Sequence, residues 1–359
     1  MSQVVDQLAE LTGFRDRDLL DSTLVTALRD LLRPLRVSIH RCVGEDADRR
    51  WLTRATLALH DAVASADPLW TDLEQLPRLE VFPARLQALR LQDVATLAGP
   101  PCLAVFPLTS DREVVGVLEI ESERPLDAGA HRLIGSILRI YRNFQGLLDY
   151  SERDTLTGLL NRKTFDEAFY KLAVAGQARA MASAYDHAEA PGRAEAGVAA
   201  DAERRNSPVL RPHYIGVIDI DHFKRVNDNF GHLIGDEVLL LLSRLMRSVF
   251  RFADRLYRFG GEEFVVLMRC GNDLEAGLAL ERLRSAVNAY AFPQVGTISV
   301  SVGYTRLKDG DTPSSAFERA DRAVYWAKAH GRDQVCSHAD LMARGELVDD
   351  AKVGDVELF

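Results

Sequence analysis

The feature that most constrains this chain is an almost continuous apolar run that ends in carboxylates. Residues Tyr214 to Asp221 read YIGVIDID. A run of this kind is typical of a strand that is buried on both faces. A carboxylate at the end of a buried strand is costly unless a positive group binds it. The run therefore predicts a buried strand whose end, at Asp219, reaches a cleft.

Regular patterns continue after this run. Leucine spacing predicts a helix over Gly235 to Phe250, and Leu256 to Met268 reads as two strands that turn at Gly260-Gly261. Thr297 to Tyr304 is predicted as a further strand, and Pro313 to Ala329 as a helix with proline at its first position. Strands and helices thus alternate through the C-terminal half.

The N-terminal half mixes the two periodicities. Apolar residues at helical spacing predict a helix over Arg17 to Leu35 that stops near Pro34. Cys102 to Leu108 and Val114 to Ile120 read as strands joined by the polar residues Ser110 to Arg112. The simplest architecture is an α+β domain over residues 1–127, with a sheet flanked by helices.

A long helix is predicted between the two halves, over Ala128 to Arg153. Its apolar positions recur at steps of four and three, at Leu133, Ile137, Ile140, Phe144 and Leu147. This spacing is typical of a coiled-coil seam between two protomers. A single amphipathic helix that packs on its own domain has nearly the same pattern, and spacing alone leaves both readings open.

Composition limits the function classes. The chain has 359 residues, enough for two domains, and its formal net charge of -9 argues against a general DNA or RNA binder. Its four widely separated cysteines indicate reduced thiols rather than a zinc site or disulfides. We expect a cytoplasmic protein without membrane contact, because neither a signal peptide nor a long apolar run is present. Residues 174–212 break the pattern and are predicted to be a surface insertion, with a regulatory segment as the alternative.

Several side chains suggest phosphate chemistry. Asp219, Glu262 and Glu263 are hard oxygen ligands that converge at one end of the predicted sheet, which suits Mg²⁺. The alternative is that each carboxylate pairs with a basic residue such as Arg258. Gly260-Gly261 would let a phosphate approach the backbone. Lys328 and Arg332, one predicted helical turn apart, either grip a polyphosphate or compensate a helix dipole.

The order of the motifs resembles the GGDEF family. DTLTGLLNR at Asp154 to Arg162 is followed by DIDHFKRVNDNFGHLIGDEVL, RFGGEEF, SVSVGYT and ADRAVYWAKAHGRDQV. The resemblance covers Asp154 to Val335, apart from the insertion. It implies a palm-like α/β domain, related to polymerases and nucleotide cyclases, over residues 154–340, with a tail over 341–359. It also implies diguanylate cyclase activity, in which two GTP molecules condense into cyclic di-GMP and two pyrophosphates.

The resemblance assigns roles to individual residues. Asp219, Glu262 and Glu263 match the catalytic and metal-binding carboxylates, with the Ile220 carbonyl as a further ligand of two Mg²⁺ ions per active site, or of Mn²⁺. The residues that match GTP contacts are Asn227 and Asp236 for guanine, and Phe223, Lys224, His232, Gly260, Gly261, Lys328 and Arg332 for the rest of the nucleotide. Arg251, Asp254 and Arg282 match an inhibitory site for the product.

The implied reaction also requires a partner chain. One catalytic domain binds one GTP, so each 3′-hydroxyl attacks the α-phosphate held by a second protomer, and the resemblance implies a homodimer. This favours the coiled-coil reading of 128–153. Two alternatives stay open: a catalytically silent receptor for cyclic di-GMP, and a different nucleotide cyclase with the same palm fold.

The N-terminal domain is similar to a GAF domain in the order of its elements and in its AVFPLTSDREVVGVLEIES hairpin. A PAS-like domain is the alternative. Either implies a regulatory domain that responds to an unidentified small molecule or protein. His40 and Cys42 alternate on one predicted strand, and we expect them to be ordinary core or surface residues.

Overall fold

The computed structural model describes residues 16–44, 48–68, 71–109, 114–172 and 211–348. The chain separates into two compact units, with the boundary after Glu152. The predicted Ser110–Arg112 connection, almost all of the 174–212 insertion and the end of the tail lie outside the described residues. Within the part described, no helix combines the length and hydrophobicity needed to cross a membrane.

The N-terminal unit is built on one antiparallel sheet. Its strands lie in the order β2-β1-β5-β4-β3. Its elements are α1 (Arg17–Leu32), β1 (Arg36–Val43), β2 (Arg50–Ala58), α2 (Pro83–Leu91), β3 (Ala95–Leu97), β4 (Cys102–Thr109), β5 (Val114–Ser122) and α3 (Ala128–Glu152). The predicted first helix and the two predicted strands are confirmed, and the chain leaves α1 through Arg33 in a left-handed conformation.

Both faces of this sheet are covered. On one face, leucines of α1 and the apolar side of α3 pack against residues such as Val37 and Leu118. On the other face, α2 packs against Trp51, Val105 and Val117. The alternation of buried side chains along each strand accounts for the two apolar layers.

The α2 face also contains buried charge. Arg85 donates from Nε and Nη2 to the two oxygens of Glu119, at 2.6 and 2.7 Å. His40 lies beside this pair with 5% of its surface exposed. Desolvation and the positive charge of Arg85 lower the pKa of His40 to about 3. His40 is therefore a neutral core residue, as expected from the sequence.

The long helix α3 packs on its own unit. Its buried residues, which recur at steps of three and four, are Ile134, Ile137, Tyr141, Gln145 and Leu148. Of the predicted seam, Ile137 belongs to this intramolecular face, whereas Leu147 is 66% exposed. Leu133, Ile140 and Phe144, the other residues of the predicted seam, are partly buried and pack against the same core. Dimerisation through α3 stays a prediction.

The C-terminal unit contains a six-stranded sheet in the order β11-β10-β7-β9-β8-β6. Its elements are β6 (Leu160–Asn161), α4 (162–172), β7 (His213–Ile220), α5 (Phe223–Phe230), α6 (His232–Val249), β8 (Arg255–Gly260), β9 (Glu263–Arg269), α7 (Asp273–Ala289), β10 (Val300–Arg306), α8 (Pro313–Ala329), β11 (Val335–Ser337) and α9 (His338–Ala343). The predicted apolar run is the central strand β7, which pairs antiparallel with β9 and β10. Helices and sheet share one core around Ile218, Phe264 and Leu280.

Candidate active site

Three carboxylates meet at one end of β7 and β9. Asp219, which is 7% exposed, lies directly opposite Glu263 in the antiparallel pairing of these strands. Opposed residues of a strand pair place their side chains on the same face with Cβ atoms about 5 Å apart. Glu262 precedes Glu263 in the turn between β8 and β9. The predicted convergence of the three acids at one sheet end is therefore present.

The turn before these acids depends on glycine. Gly260 has a φ of 149° and Gly261 a φ of 51°, values that favour glycine. Arg258 fastens the turn, since its Nε and Nη2 donate to the Gly261 carbonyl at 3.0 and 2.8 Å. Its Nη1 donates to Asp154 Oδ1 at 2.9 Å. Arg258 thus supports the loop through Gly261 and Asp154, so the alternative in which it pairs with Asp219, Glu262 or Glu263 is wrong.

Lys328 is the cation that pairs with the buried acid. Its Nζ lies 2.7 Å from Asp219 Oδ1. The expected spacing of Lys328 and Arg332 on one helix is wrong. Helix α8 ends at Ala329, and Arg332 lies beyond it with a φ of 63°. Gly331 interrupts the helical path, so Arg332 is not on the turn that follows Lys328.

Crowding of negative charge changes the titration of this cluster. Desolvation is the largest cause of the raised pKa of Asp219, and the charge of Lys328 opposes it. Burial and the charge of Asp219 raise the pKa values of Glu262 and Glu263. Asp321 on α8 adds to the negative field at Asp219 and Glu263. The sequence analysis did not identify Asp321; its only signal is that it lies seven residues, or two turns, before Lys328.

The donor set fits Mg²⁺. Carboxylate oxygens and the carbonyl of Ile220, the last residue of β7, are hard ligands that this ion prefers. Burial and the negative charge of nearby carboxylates raise the pKa values of Asp219, Glu262 and Glu263, and a divalent cation would offset both effects. In the described ranges, no three acidic, histidine or cysteine side chains already stand in metal-holding geometry. The positive charge of Lys328 compensates the negative charge of Asp219 in this arrangement.

The predicted guanine contacts lie on the helical hairpin formed by α5 and α6. Asn227 approaches α6 so closely that a Cβ atom built on Gly235 would stand 2.0 Å from Asn227 Oδ1. Gly235 precedes Asp236, so the structure brings Asn227 and Asp236 to neighbouring positions. Phe223, by contrast, is 5% exposed and packs in the core.

Two further predicted nucleotide contacts are exposed. Lys224 and His232 lie on the surface at the starts of α5 and α6. Asp221, which the sequence analysis missed, lies in the turn between β7 and α5. Its two oxygens accept from Ser299 Oγ at 2.6 Å and Ser301 Oγ at 2.7 Å. Asp221 also accepts from the backbone N–H of Asp333, so it ties the turn after β7 to the segment after α8.

Part of this chain is similar to known proteins. A family model described as "Diguanylate cyclase, GGDEF domain" matches residues 200–334. The C-terminal unit contains a GGDEF domain. Diguanylate cyclase DgcP of Pseudomonas aeruginosa is 47% identical over 147 residues, which cover 38% of this chain and 22% of that protein. Diguanylate cyclase DgcZ of Escherichia coli is 37% identical over 187 residues, which cover 51% and 52%.

The chain therefore spans about half, or less, of the length of these relatives. Among solved structures, the GGDEF domain of DgcB from Caulobacter crescentus, crystallised in complex with c-di-GMP, is similar at 29% sequence identity. The match covers 52% of this chain and 96% of that one, with a TM-score of 0.40.

The GGDEF domain carries a second charged cluster, made of the predicted inhibitory residues. Asp254 Oδ2 accepts from the backbone N–H of Arg251 at 3.0 Å, and Arg251 Nη2 lies 3.3 Å from Glu275 Oε1. Burial raises the pKa of Asp254 to about 6, while the charges of Arg251 and Arg282 oppose the shift. The structure thus brings Arg251, Asp254 and Arg282 together. Glu275, which orients Arg251, was not predicted.

Proposed function

We propose that this chain is a diguanylate cyclase that condenses two GTP molecules into cyclic di-GMP and two pyrophosphates. The observation that carries the proposal is the cross-strand pair of Asp219 and Glu263, beside Glu262 and within a GGDEF domain. Acids concentrated at a glycine turn suit a reaction in which phosphate charge develops and must be neutralised. The identities of the curated relatives support the same activity.

Each residue has a task that its surroundings favour. The turn at Gly260-Gly261 has no side chains, so triphosphate oxygens can approach the backbone. Lys328, already beside Asp219, is near enough to contact a phosphate bound at the acids. Asn227 and the neighbouring Asp236 offer hydrogen-bonding groups to the guanine edge. Mg²⁺ held by the carboxylates and the Ile220 carbonyl would supply positive charge to the α-phosphate and acidify the attacking 3′-hydroxyl.

The reaction needs two protomers. Each GGDEF domain binds one GTP, and each 3′-hydroxyl must reach the α-phosphate on the other domain in a two-fold arrangement. We assign the homodimer contact to the exposed stripe of α3 around Leu147, which is 66% exposed. The N-terminal unit, whose sheet lies between helices, would be a GAF-like regulatory domain, with a PAS-like domain as the alternative. It would act through α3 and change how closely the two GTP sites of the dimer approach each other.

The activity is tested by incubating the purified chain with GTP and Mg²⁺ and resolving the products chromatographically. We expect cyclic di-GMP from the wild type and a loss of at least a hundredfold in Glu262→Ala. Asp309→Ala, which removes an exposed carboxylate in the loop between β10 and α8, is the matched control and should keep wild-type activity. Thermal melting of each variant separates a loss of chemistry from a loss of folding.

The alternative function is a silent receptor for cyclic di-GMP. A wild-type chain that binds cyclic di-GMP but forms none from GTP would support the receptor and contradict the cyclase. Bound product must first be removed, since an occupied inhibitory site would mimic inactivity. The variant Arg251→Ala, in which the proposed inhibitory site is weakened, is therefore assayed beside the wild type.

Product inhibition is proposed at Arg251, Asp254 and Arg282. Two arginines beside a carboxylate suit the phosphates and guanine edges of cyclic di-GMP. Arg251→Ala should raise the inhibition constant for cyclic di-GMP at least tenfold while leaving the initial rate unchanged. Arg244→Ala, at an exposed position of α6, is the control. Equal inhibition of wild type and Arg251→Ala would contradict this assignment.

A further inference from the structure

The N-terminal unit has a cavity between the sheet and its last helix. It lies between β4 and α3 and has a volume of about 260 Å³. Its principal lining residues are Phe106 and Leu108 of β4 and Gly135, Leu138, Arg139 and Arg142 of α3. Small-molecule sites commonly measure roughly 300–1,000 Å³, so this one suits a ligand smaller than a typical drug.

The wall of the cavity has two chemical characters. Phe106 and Leu108 are buried and Leu138 is half-buried, which gives an apolar floor. Arg139 and Arg142, three residues apart on α3, supply two positive charges at the exposed rim. Residues at this spacing are neighbours on a helix surface. An apolar floor below a pair of guanidinium groups is suited to an anionic head with an apolar body.

Gly135 is a second observation that favours a ligand in this cavity. Glycine inside a helix costs about 1 kcal/mol relative to alanine. No close approach requires it here, because a Cβ atom built on Gly135 would meet nothing within 4 Å. The missing side chain instead leaves the cavity open at its α3 wall. Packing of the described residues therefore gives no reason for glycine at this position, whereas a ligand would.

The cavity is coupled to the fixed part of α3 through Tyr141. This residue lines the cavity, and its hydroxyl donates to Asp21 of α1. The same hydroxyl accepts from Arg41 Nη2 at 3.0 Å and from Gln145 Nε2 at 2.8 Å. A ligand against the Tyr141 ring would thus contact the residue that joins α3 to α1 and the sheet.

We propose that this cavity binds a small amphipathic carboxylate. Its carboxylate would pair with Arg139 and Arg142, and its apolar chain would lie on Phe106, Leu108 and Leu138. Occupancy would stabilise the packing of α3 on β4. The proposal is independent of the cyclase assignment, because it rests on the N-terminal unit alone.

The test uses the full chain and octanoate as the probe, with calorimetric titration and thermal melting. We expect one octanoate per protomer and a higher melting temperature. Gly135→Leu should abolish binding, because the leucine side chain fills the cavity, while leaving the melting temperature of the unliganded chain no lower than that of the wild type. The double variant Arg139→Gln/Arg142→Gln should weaken binding at least fivefold.

Two controls complete the test. Arg132→Gln removes an exposed arginine of α3 that does not line the cavity, and it should bind octanoate like the wild type. Octan-1-ol, which keeps the chain but not the charge, should bind at least fivefold more weakly. Absence of octanoate binding, or equal binding by Gly135→Leu, would overturn the proposal. Equal affinity for octanol would overturn the assignment of the two arginines.

Discussion

At the scale of single residues, the closest approach in the candidate guanine site is that of Asn227 to Gly235. The carboxamide oxygen occupies the volume in which any other residue at position 235 would place its Cβ. Gly235 is also helical, where glycine is otherwise unfavourable. The glycine is thus required by its neighbour rather than by its own backbone conformation.

Gly235→Ala is therefore expected to displace Asn227. We predict a destabilisation of about 1–3 kcal/mol, typical of overpacking, and a GTP affinity at least tenfold lower. The same substitution is made in an Asn227→Ala chain, where the methyl group that Gly235→Ala adds no longer meets the carboxamide. Urea unfolding of the four chains of this double-mutant cycle measures the coupling. The same loss in both backgrounds would contradict a clash with Asn227.

Asp254 gives a pH-dependent prediction. Its folded pKa of about 6 exceeds the ordinary value of 3.8 because burial disfavours the carboxylate. The folded state therefore binds the proton more tightly than the unfolded state. The contribution of Asp254 to the free energy of unfolding is most favourable below pH 3.8 and falls as the pH rises toward 6.

Asp254→Asn removes this titration, and its amide oxygen can still accept from the Arg251 N–H. We expect the stability of the variant relative to wild type to rise between pH 4 and pH 7, as measured by urea unfolding across this range. Asp309→Asn, at an exposed loop position, should show no such trend. A difference between Asp254→Asn and wild type that is constant with pH would refute the prediction.

At the scale of elements, α1 and α3 are joined by a buried polar network. Asp21 of α1 is 0% exposed and accepts from Arg54 Nε at 3.2 Å as well as from the Tyr141 hydroxyl. Arg17 extends the contact, with its Nη2 2.7 Å from Asp149 Oδ1. Because a buried carboxylate is costly without its donors, the network fixes how α3 lies on α1.

Tyr141→Phe should destabilise the N-terminal unit by about 1–3 kcal/mol, since it removes one donor from the buried Asp21 carboxylate and one acceptor from Arg41 and Gln145. Amide hydrogen exchange in α1 and α3 measures the effect locally. Tyr150→Phe is the control, because Tyr150 lies on the same helix and is 77% exposed. Similar exchange rates in Tyr141→Phe and wild type would contradict a stabilising network.

At the scale of the whole molecule, activity depends on whether two chains associate. Leu147 and Tyr150 of α3 lie outside the face that packs on the unit, and both are exposed. A glutamate at position 147 would carry charge into the proposed contact between protomers. Leu147→Glu should therefore shift the chain toward monomer and lower cyclic di-GMP synthesis most strongly at low protein concentration.

Sedimentation and specific activity over a range of concentrations test this prediction. Leu91→Glu is a matched control, since Leu91 is 65% exposed but lies on α2. Monomer formation with no change in activity would contradict the need for two protomers. An unchanged oligomeric state would contradict only the assignment of the contact to Leu147.

Much of this architecture was predictable from consecutive residues. Helix α8 begins at Pro313 and ends at Ala329 as expected, because its N-cap Thr312, its proline and the following glycine are local signals. Strand β7 was readable from its continuous apolar run, and the β8–β9 hairpin from the two strand patterns around Gly260-Gly261. The three acids were identified from local signals too: Asp219 lies at the end of an apolar run, and Glu262 and Glu263 directly follow the glycine pair.

The sequence by itself determined elements with strong local signals, such as β7, the β8–β9 hairpin and α8, and it singled out Asp219, Glu262 and Glu263. Only the tertiary structure decided the partner of each charge: Lys328 for Asp219, the turn carbonyl for Arg258, and two serines for Asp221. It also decided that Ile137 packs inside its own unit. The physical reason is that periodicity is a property of neighbouring residues, whereas burial and ion pairing depend on side chains that folding brings together from distant segments.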